Sequence, residues 1–239
     1  MTGKREKTVN YITINLYGLA LSAAAAFSFF VMVTNDTKLW ETLETWMSLL
    51  FFVAAGFSLI AAVNYGVAEL FDSISFNSWA GLTVLLARVT SLLGVAGLSA
   101  RILDRGPKVG KLSRVVVVVA LLFTVGLLTS AVLQNLGAEP PLTAVLGLGT
   151  VILSLVTYSL FGIAILRTGV HTTLIGVMLL GATVALLFGL LGRAALPIGV
   201  VGTIAELTLV VTHTVIGYRL LKESAPKDSA GFAPETTAE

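Results

Sequence analysis

Residues 115–137 read VVVVVALLFTVGLLTSAVLQNLG, an apolar stretch without a charged side chain. Crossing the hydrocarbon core of a bilayer takes about 20 consecutive apolar residues in a helix, and this stretch is long enough. Barrel strands alternate apolar and polar residues over about 10 positions, and this stretch does not alternate. Backbone groups in lipid must be hydrogen-bonded within the segment, so the stretch predicts a transmembrane helix.

Six more apolar stretches of similar length occur, and short connections make successive helices antiparallel. The predicted fold class is an all-α membrane protein, a seven-transmembrane-helix bundle. The predicted spans are residues 10–33, 46–69, 79–100, 115–137, 142–166, 171–192 and 197–221. They form one membrane domain at 10–221, between an external segment at 1–9 and a disordered cytoplasmic tail at 222–239.

The composition of the 239 residues excludes most soluble classes. Hydrophobic residues make up 56% and charged residues 12%, about half the charged share of a soluble domain. A net charge of +2 gives no reason to expect a nucleic-acid partner. The absence of cysteine excludes disulfides, thiolate metal sites and cysteine nucleophiles. The sequence therefore predicts a multi-pass protein whose partner is the lipid bilayer, placed in the plasma membrane.

The distribution of lysine and arginine predicts the orientation. A predicted loop at 101–114 holds Arg101, Arg105, Lys108, Lys111 and Arg114. With the basic residues of the tail, Lys38 and Arg167, ten lie on one side of the membrane and four on the other. This predicts an external N-terminus and a cytoplasmic C-terminus. The basic start of the chain by itself favours the opposite orientation or a cleaved signal peptide, but the loop is the stronger evidence.

Small residues mark faces on which helices pack closely. Gly18, Ser22 and Ala26 stand four residues apart on the first span. Gly94 and Gly97, and Gly199 and Gly202, form similar pairs on the third and seventh spans. Such faces serve either a homo-oligomer contact, proposed for the face of the first span, or packing inside one chain, and both interpretations stay open.

Ionisable residues inside a span are costly, so each is a candidate functional residue. Arg88 and Glu206 each lie nine residues into a span from its external end. At 1.5 Å per residue both are about 13 Å deep, and we expect them to form an ion pair. The pair either takes part in function or only fixes the register of two helices.

Further polar residues extend this predicted network. His213 follows Glu206 by seven residues on the same helix face, and is expected to hydrogen-bond to a neighbour, shuttle protons or bind a ligand. Asn64, Tyr65 and Glu69 are expected to join Arg88. His171, the second histidine, is expected at a wet edge, and two histidines at different depths predict no metal site.

Two segments resemble microbial (type 1) rhodopsins. Residues 87–98, ARVTSLLGVAGL, are similar to that family's A-R-Y-x-D-W-L-x-T-T-P-L, and residues 213–222, HTVIGYRLLK, to its K-V-G-F-G-L-I-L-L-R. The matching residues are Ala87, Arg88, Leu93, Leu98, Gly217, Leu220 and Leu221, with Lys222 in place of an arginine and Pro197 near a family proline. The resemblance implies a seven-helix bundle over about residues 9–223.

The departures from the family are chemical. The position of the retinal-binding lysine falls on His213, and the counterion positions fall on Ser91 and Leu209. Leu92 and Leu179 stand where tryptophans clamp the polyene. The resemblance therefore implies an opsin-like protein without covalent retinal, and no cofactor is expected.

Three functions fit these observations. The favoured one is a non-photochemical sensor, scaffold or stress-related membrane protein. The alternatives are a small transporter or channel with an Arg88/Glu206/His213 polar relay, or an intramembrane enzyme acting on a lipid or carotenoid. A relay needs a continuous polar path and an enzyme needs a second set of convergent polar groups. The sequence supplies little of either, so no enzymatic activity is expected.

Overall fold

The computed structural model describes residues 36–71, 74–136 and 142–224, and within these ranges it contains six long helices and no strand. They are α1 (Thr37–Phe71), α2 (Ile74–Arg105), α3 (Pro107–Asn135), α4 (Thr143–Thr168), α5 (Thr173–Leu191) and α6 (Ile198–Ser224), with a 3₁₀ turn at Gly192–Ala194. All six are long and apolar enough to cross a membrane, so the chain is a multi-pass helical membrane protein. The predicted span at 10–33, with Gly18, Ser22 and Ala26, lies outside the described residues.

The predicted loop at 101–114 is wrong. α2 continues to Arg105 and α3 begins at Pro107, so Gly106 alone separates the two helices. The lysines and arginines of residues 101–114 can lie on the ends of these two helices because their aliphatic stems cover apolar surface while the charged ends reach water. Pro107 is tolerated in the first helical turn, where its missing N–H would have no partner. Hydrophobicity marks the part of a helix in lipid, not the place where the helix ends.

Two other helix ends also differ from the prediction. α1 begins at Thr37, and the Asp36 carboxylate accepts a hydrogen bond of 3.2 Å from the Leu39 N–H. Such a cap satisfies a backbone donor that the first turn leaves free. α6 continues to Ser224, beyond the predicted start of the tail at 222, and the remaining tail residues are not among those described.

The helices form a closed ring in chain order. Each packs on the next, α6 packs back on α1, and α2 also contacts α4 and α6. Gly94 and Gly97 of α2, and Gly199 and Gly202 of α6, all pack against α1. A Cβ atom at Gly97 would lie 2.5 Å from a backbone carbonyl oxygen of α1, so only glycine fits there. On these helices the small residues serve packing inside the chain.

The bundle has two ends with different contacts. At the first, called the Gly106 end, Arg105 donates a hydrogen bond of 3.1 Å to the Gly169 carbonyl oxygen, joining the α2–α3 and α4–α5 connections. At the opposite end, called the Pro197 end, α1 finishes and α6 starts. The main apolar core fills the half toward the Gly106 end, with fully buried Leu98, Ile102, Phe161, Ile165 and Ile175.

Candidate functional site

Arg88 and Glu206 meet inside the bundle, in the half toward the Pro197 end. The Arg88 Nη2 atom lies 3.0 Å from Glu206 Oε1, and the two side chains are 7% and 4% exposed. α2 and α6 bring them together because both residues lie at a similar depth on neighbouring helices. A buried pair of this kind avoids the cost of an isolated charge in a low dielectric.

A row of polar residues on α4 completes the site and was not predicted. The Tyr158 and Ser91 hydroxyls share a hydrogen bond, and the Ser91 hydroxyl also donates one of 3.1 Å to the Arg88 backbone carbonyl oxygen. Ser154 and Thr150 are buried one and two turns nearer the Pro197 end, respectively. Their spacing of four residues, at positions 150, 154 and 158, is the sequence signal of one polar helix face.

A cavity of about 320 Å³ adjoins the ion pair, and every described helix contributes to its wall. Examples, taken in order from α1 to α6, are Tyr65, Arg88, Leu127, Ser154, Leu186 and Glu206. Arg193, which is exposed, also lines it. The wall is mostly aliphatic with a few polar groups, as in many small-molecule sites.

Several polar atoms of this wall lack a hydrogen-bond partner within the described residues. They are Arg88 Nη1, Glu206 Oε2, Thr150 Oγ1 and Ser154 Oγ. Buried polar groups in proteins are almost always hydrogen-bonded, to protein or to ordered water. The wall of this cavity therefore contains four buried polar atoms that have no partner among the described residues.

Of the three α1 residues expected to join Arg88, only Tyr65 lines the site. Glu69 instead accepts a hydrogen bond of 3.2 Å from the Gly199 N–H at the start of α6. That expectation was wrong because Glu69 lies one helical turn beyond Tyr65, where the positive end of the α6 dipole attracts a carboxylate. Asn64 is half-buried and makes no side-chain hydrogen bond to the pair within the described ranges.

His213 is fully buried, but it does not continue the polar network. Its ring lies 5.9 Å from the Phe51 ring and 6.4 Å from the Tyr158 ring, measured between centroids. Neither ring nitrogen has a hydrogen-bond partner among the residues that the structure describes, contrary to the expected hydrogen bond to a neighbour. Among the described residues, no hydrogen bond therefore extends the predicted relay from Arg88 and Glu206 to His213.

The positions that the rhodopsin resemblance singles out lie in the packed core. Leu92, Leu179 and Leu209 are fully buried in one apolar cluster, and Ser91 is hydrogen-bonded to Tyr158. No group of three or more His, Asp or Glu side chains that could hold a metal occurs within residues 36–71, 74–136 and 142–224.

His171 was expected at a wet edge, and this is wrong. Its side chain is fully buried at the Gly106 end, with Nδ1 2.7 Å from Glu223 Oε2. Glu223 also accepts a hydrogen bond from the Thr172 N–H, so one carboxylate binds both residues before α5. Burial lowers the pKa of His171 below its ordinary value, and the hydrogen bond and charge of Glu223 oppose that shift only in part.

Comparisons with known proteins add no relative. No protein-family model, no curated protein and no solved structure matches the chain. The resemblance to microbial rhodopsins, carried by residues 87–98 and 213–222, therefore stays a prediction.

Proposed function

We propose that this chain is an opsin-like membrane sensor that binds a small molecule non-covalently between its helices. The proposal includes no covalent retinal, no photochemistry and no catalysis. The observation that carries it is the cavity of about 320 Å³ beside the Arg88–Glu206 pair. Pockets that bind small molecules are typically concave and apolar, with a few placed polar groups, and this cavity has that character.

The distribution of amines supports binding without a covalent link to retinal. The lysines among the described residues are all exposed: Lys38, Lys108, Lys111 and Lys222. The other three, Lys4, Lys7 and Lys227, lie outside the predicted spans. A protonated imine also needs a nearby counter-charge, and Ser91 and Leu209 offer none.

Binding also fits the geometry better than a relay or an enzyme does. A general acid or base must lie within hydrogen-bond reach of the group it serves, directly or through one water. Arg88 and Glu206 neutralise each other, and His213 has no hydrogen-bond partner among the described residues. Recognition of a ligand needs only the wall of the cavity.

A test with retinal examines whether the protein is a photoreceptor. Purified protein mixed with all-trans retinal should form no red-shifted pigment and no product that borohydride traps, because no predicted span carries a lysine. His213→Lys, which supplies an amine, is the control and should still form little pigment without a counter-charge. A visible pigment from the unmodified chain would overturn the proposal and restore the photoreceptor function.

We further propose seven spans in the plasma membrane, with the N-terminus external and the Gly106 end cytoplasmic. The support is the gathering of Arg105, Lys108, Lys111, Arg167 and Lys222 near that end, since basic residues concentrate on the cytoplasmic side. The chain has no cysteine of its own, so a single Val109→Cys variant can be labelled cleanly. Labelling by an impermeant reagent is expected only after the cells are opened, and labelling of intact cells would reverse the orientation.

A further inference from the structure

We infer that the cavity beside Arg88 and Glu206 takes an uncharged molecule with a hydroxyl or amide head and a short apolar body. This inference rests on the proposed function and adds the chemical class of the ligand. Three properties of the wall carry it: its charge balance, the direction of its free hydrogen bonds and its size.

The charges around the cavity disfavour a charged ligand. Arg88 and Glu206 already form a pair with 3.0 Å between Nη2 and Oε1. A carboxylate placed beside them would be repelled by Glu206, and an ammonium group by Arg88. Adding an unpaired charge to a buried site is costly. Arg193 could offset a carboxylate, but it is exposed at the rim, where water weakens an ion pair.

The unpartnered polar atoms of the wall favour a ligand whose polar head both donates and accepts hydrogen bonds. Arg88 Nη1 can only donate, and the ionised Glu206 Oε2 can only accept. A hydroxyl or a primary amide can do both at once, whereas a carboxylate only accepts and an ammonium only donates. Thr150 and Ser154 add two hydroxyls that adapt to either role. These four atoms are buried in the wall, so their side chains must rotate slightly to form hydrogen bonds with the head of a bound ligand.

The volume and the lining of the cavity determine the size and the apolar character of the ligand's body. About 320 Å³ is at the small end of the range for ligand pockets. At about 30 Å³ for each heavy atom, the share of one water in the liquid, roughly ten such atoms fit. Val84, Leu85, Leu127, Val151, Leu186 and Leu190 supply an aliphatic surface around them. An eight-carbon chain with a hydroxyl or amide head matches this space.

The experiment compares probes that differ only in their heads. Full-length protein in lipid nanodiscs is titrated with 1-octanol, octanamide, octanoate or octyltrimethylammonium, and its thermal unfolding midpoint is followed. At ten times its Kd, a bound neutral probe should raise the midpoint by about 3–6 °C. Octanoate and octyltrimethylammonium should leave it unchanged.

Matched glycine variants separate the cavity from effects on the bilayer. Gly147 lines the cavity and Gly181 does not, and a Cβ at either meets no atom within 4 Å. Gly147→Leu should therefore fill part of the cavity and weaken octanol binding about tenfold, while Gly181→Leu should leave it unchanged. Ser154→Ala, which keeps the fold with a smaller side chain, should weaken octanol binding about fivefold through the lost hydroxyl.

The outcomes distinguish the ligand class from the proposed function. If octanoate or octyltrimethylammonium stabilises the protein as well as octanol does, and Gly147→Leu abolishes the effect, the cavity binds ligands but the inferred head is wrong. If none of the probes stabilises the protein, or Gly147→Leu and Gly181→Leu behave alike, the cavity holds only water, and the proposed function fails with the inference.

Discussion

The two halves of the bundle place their charged side chains in opposite ways. In the half toward the Pro197 end, Arg88 and Glu206 are in the interior beside a cavity. In the half toward the Gly106 end, the interior is closely packed, and the Arg101–Glu44 ion pair lies at the rim. Aliphatic side chains can interdigitate without regard to direction, whereas a guanidinium and a carboxylate need partners at fixed angles. The difference shows that the cavity lies beside the buried charged pair.

The largest effect is expected when one charge is removed from the interior pair of Arg88 and Glu206. Arg88→Met or Glu206→Gln should each lower the free energy of unfolding by about 3–5 kcal/mol, because the remaining partner stays buried without its counterpart. The double variant should lose less than the sum of the two single losses. Thermal unfolding in detergent measures the cycle, and strictly additive losses would show that the residues do not interact.

The same helix offers the control for this cycle. Arg101 of α2 pairs with Glu44 at 2.6 Å, a shorter distance than that of the interior pair, but the side chains are 34% and 29% exposed. Arg101→Met and Glu44→Gln should show a coupling below about 1 kcal/mol, because water screens exposed pairs. Equal coupling energies in both cycles would mean that burial does not determine how strongly these pairs interact.

Hydropathy and helix geometry predicted the membrane helices between residues 46 and 221 and the meeting of Arg88 with Glu206. Equal depth along two helices follows from a rise of 1.5 Å per residue and needs no knowledge of side-chain packing. The helix ends depend on local contacts instead, such as the Asp36 cap, which hydropathy does not record.

The surroundings of each polar residue could not be predicted in the same way. The spacing of Thr150, Ser154 and Tyr158 indicates a shared face, but only the ring order of the helices directs that face toward Arg88. The partner of Glu69 depends on where α6 starts relative to α1, and that of His171 is a residue of the last turn of α6, 52 positions later. Such pairings between distant parts of the chain leave no periodic signal.

A smaller test concerns the rim of the packed half, where His171 is buried against Glu223. Because its pKa is lowered in the folded protein, mainly by burial, the unfolded chain holds more protons than the folded chain below about pH 6.5. Stability should therefore be retained above that pH and fall as the pH decreases, by at most about 1.4 kcal/mol per pH unit. His171→Asn should remove this slope, and His213, which is present in both proteins, cancels from the comparison. Thermal unfolding of both proteins from about pH 7.5 to 5.5 measures the difference. If the unmodified protein instead gains stability relative to the variant as the pH falls, the Glu223 carboxylate outweighs burial, and the Gly106 rim holds a charged pair like the interior one.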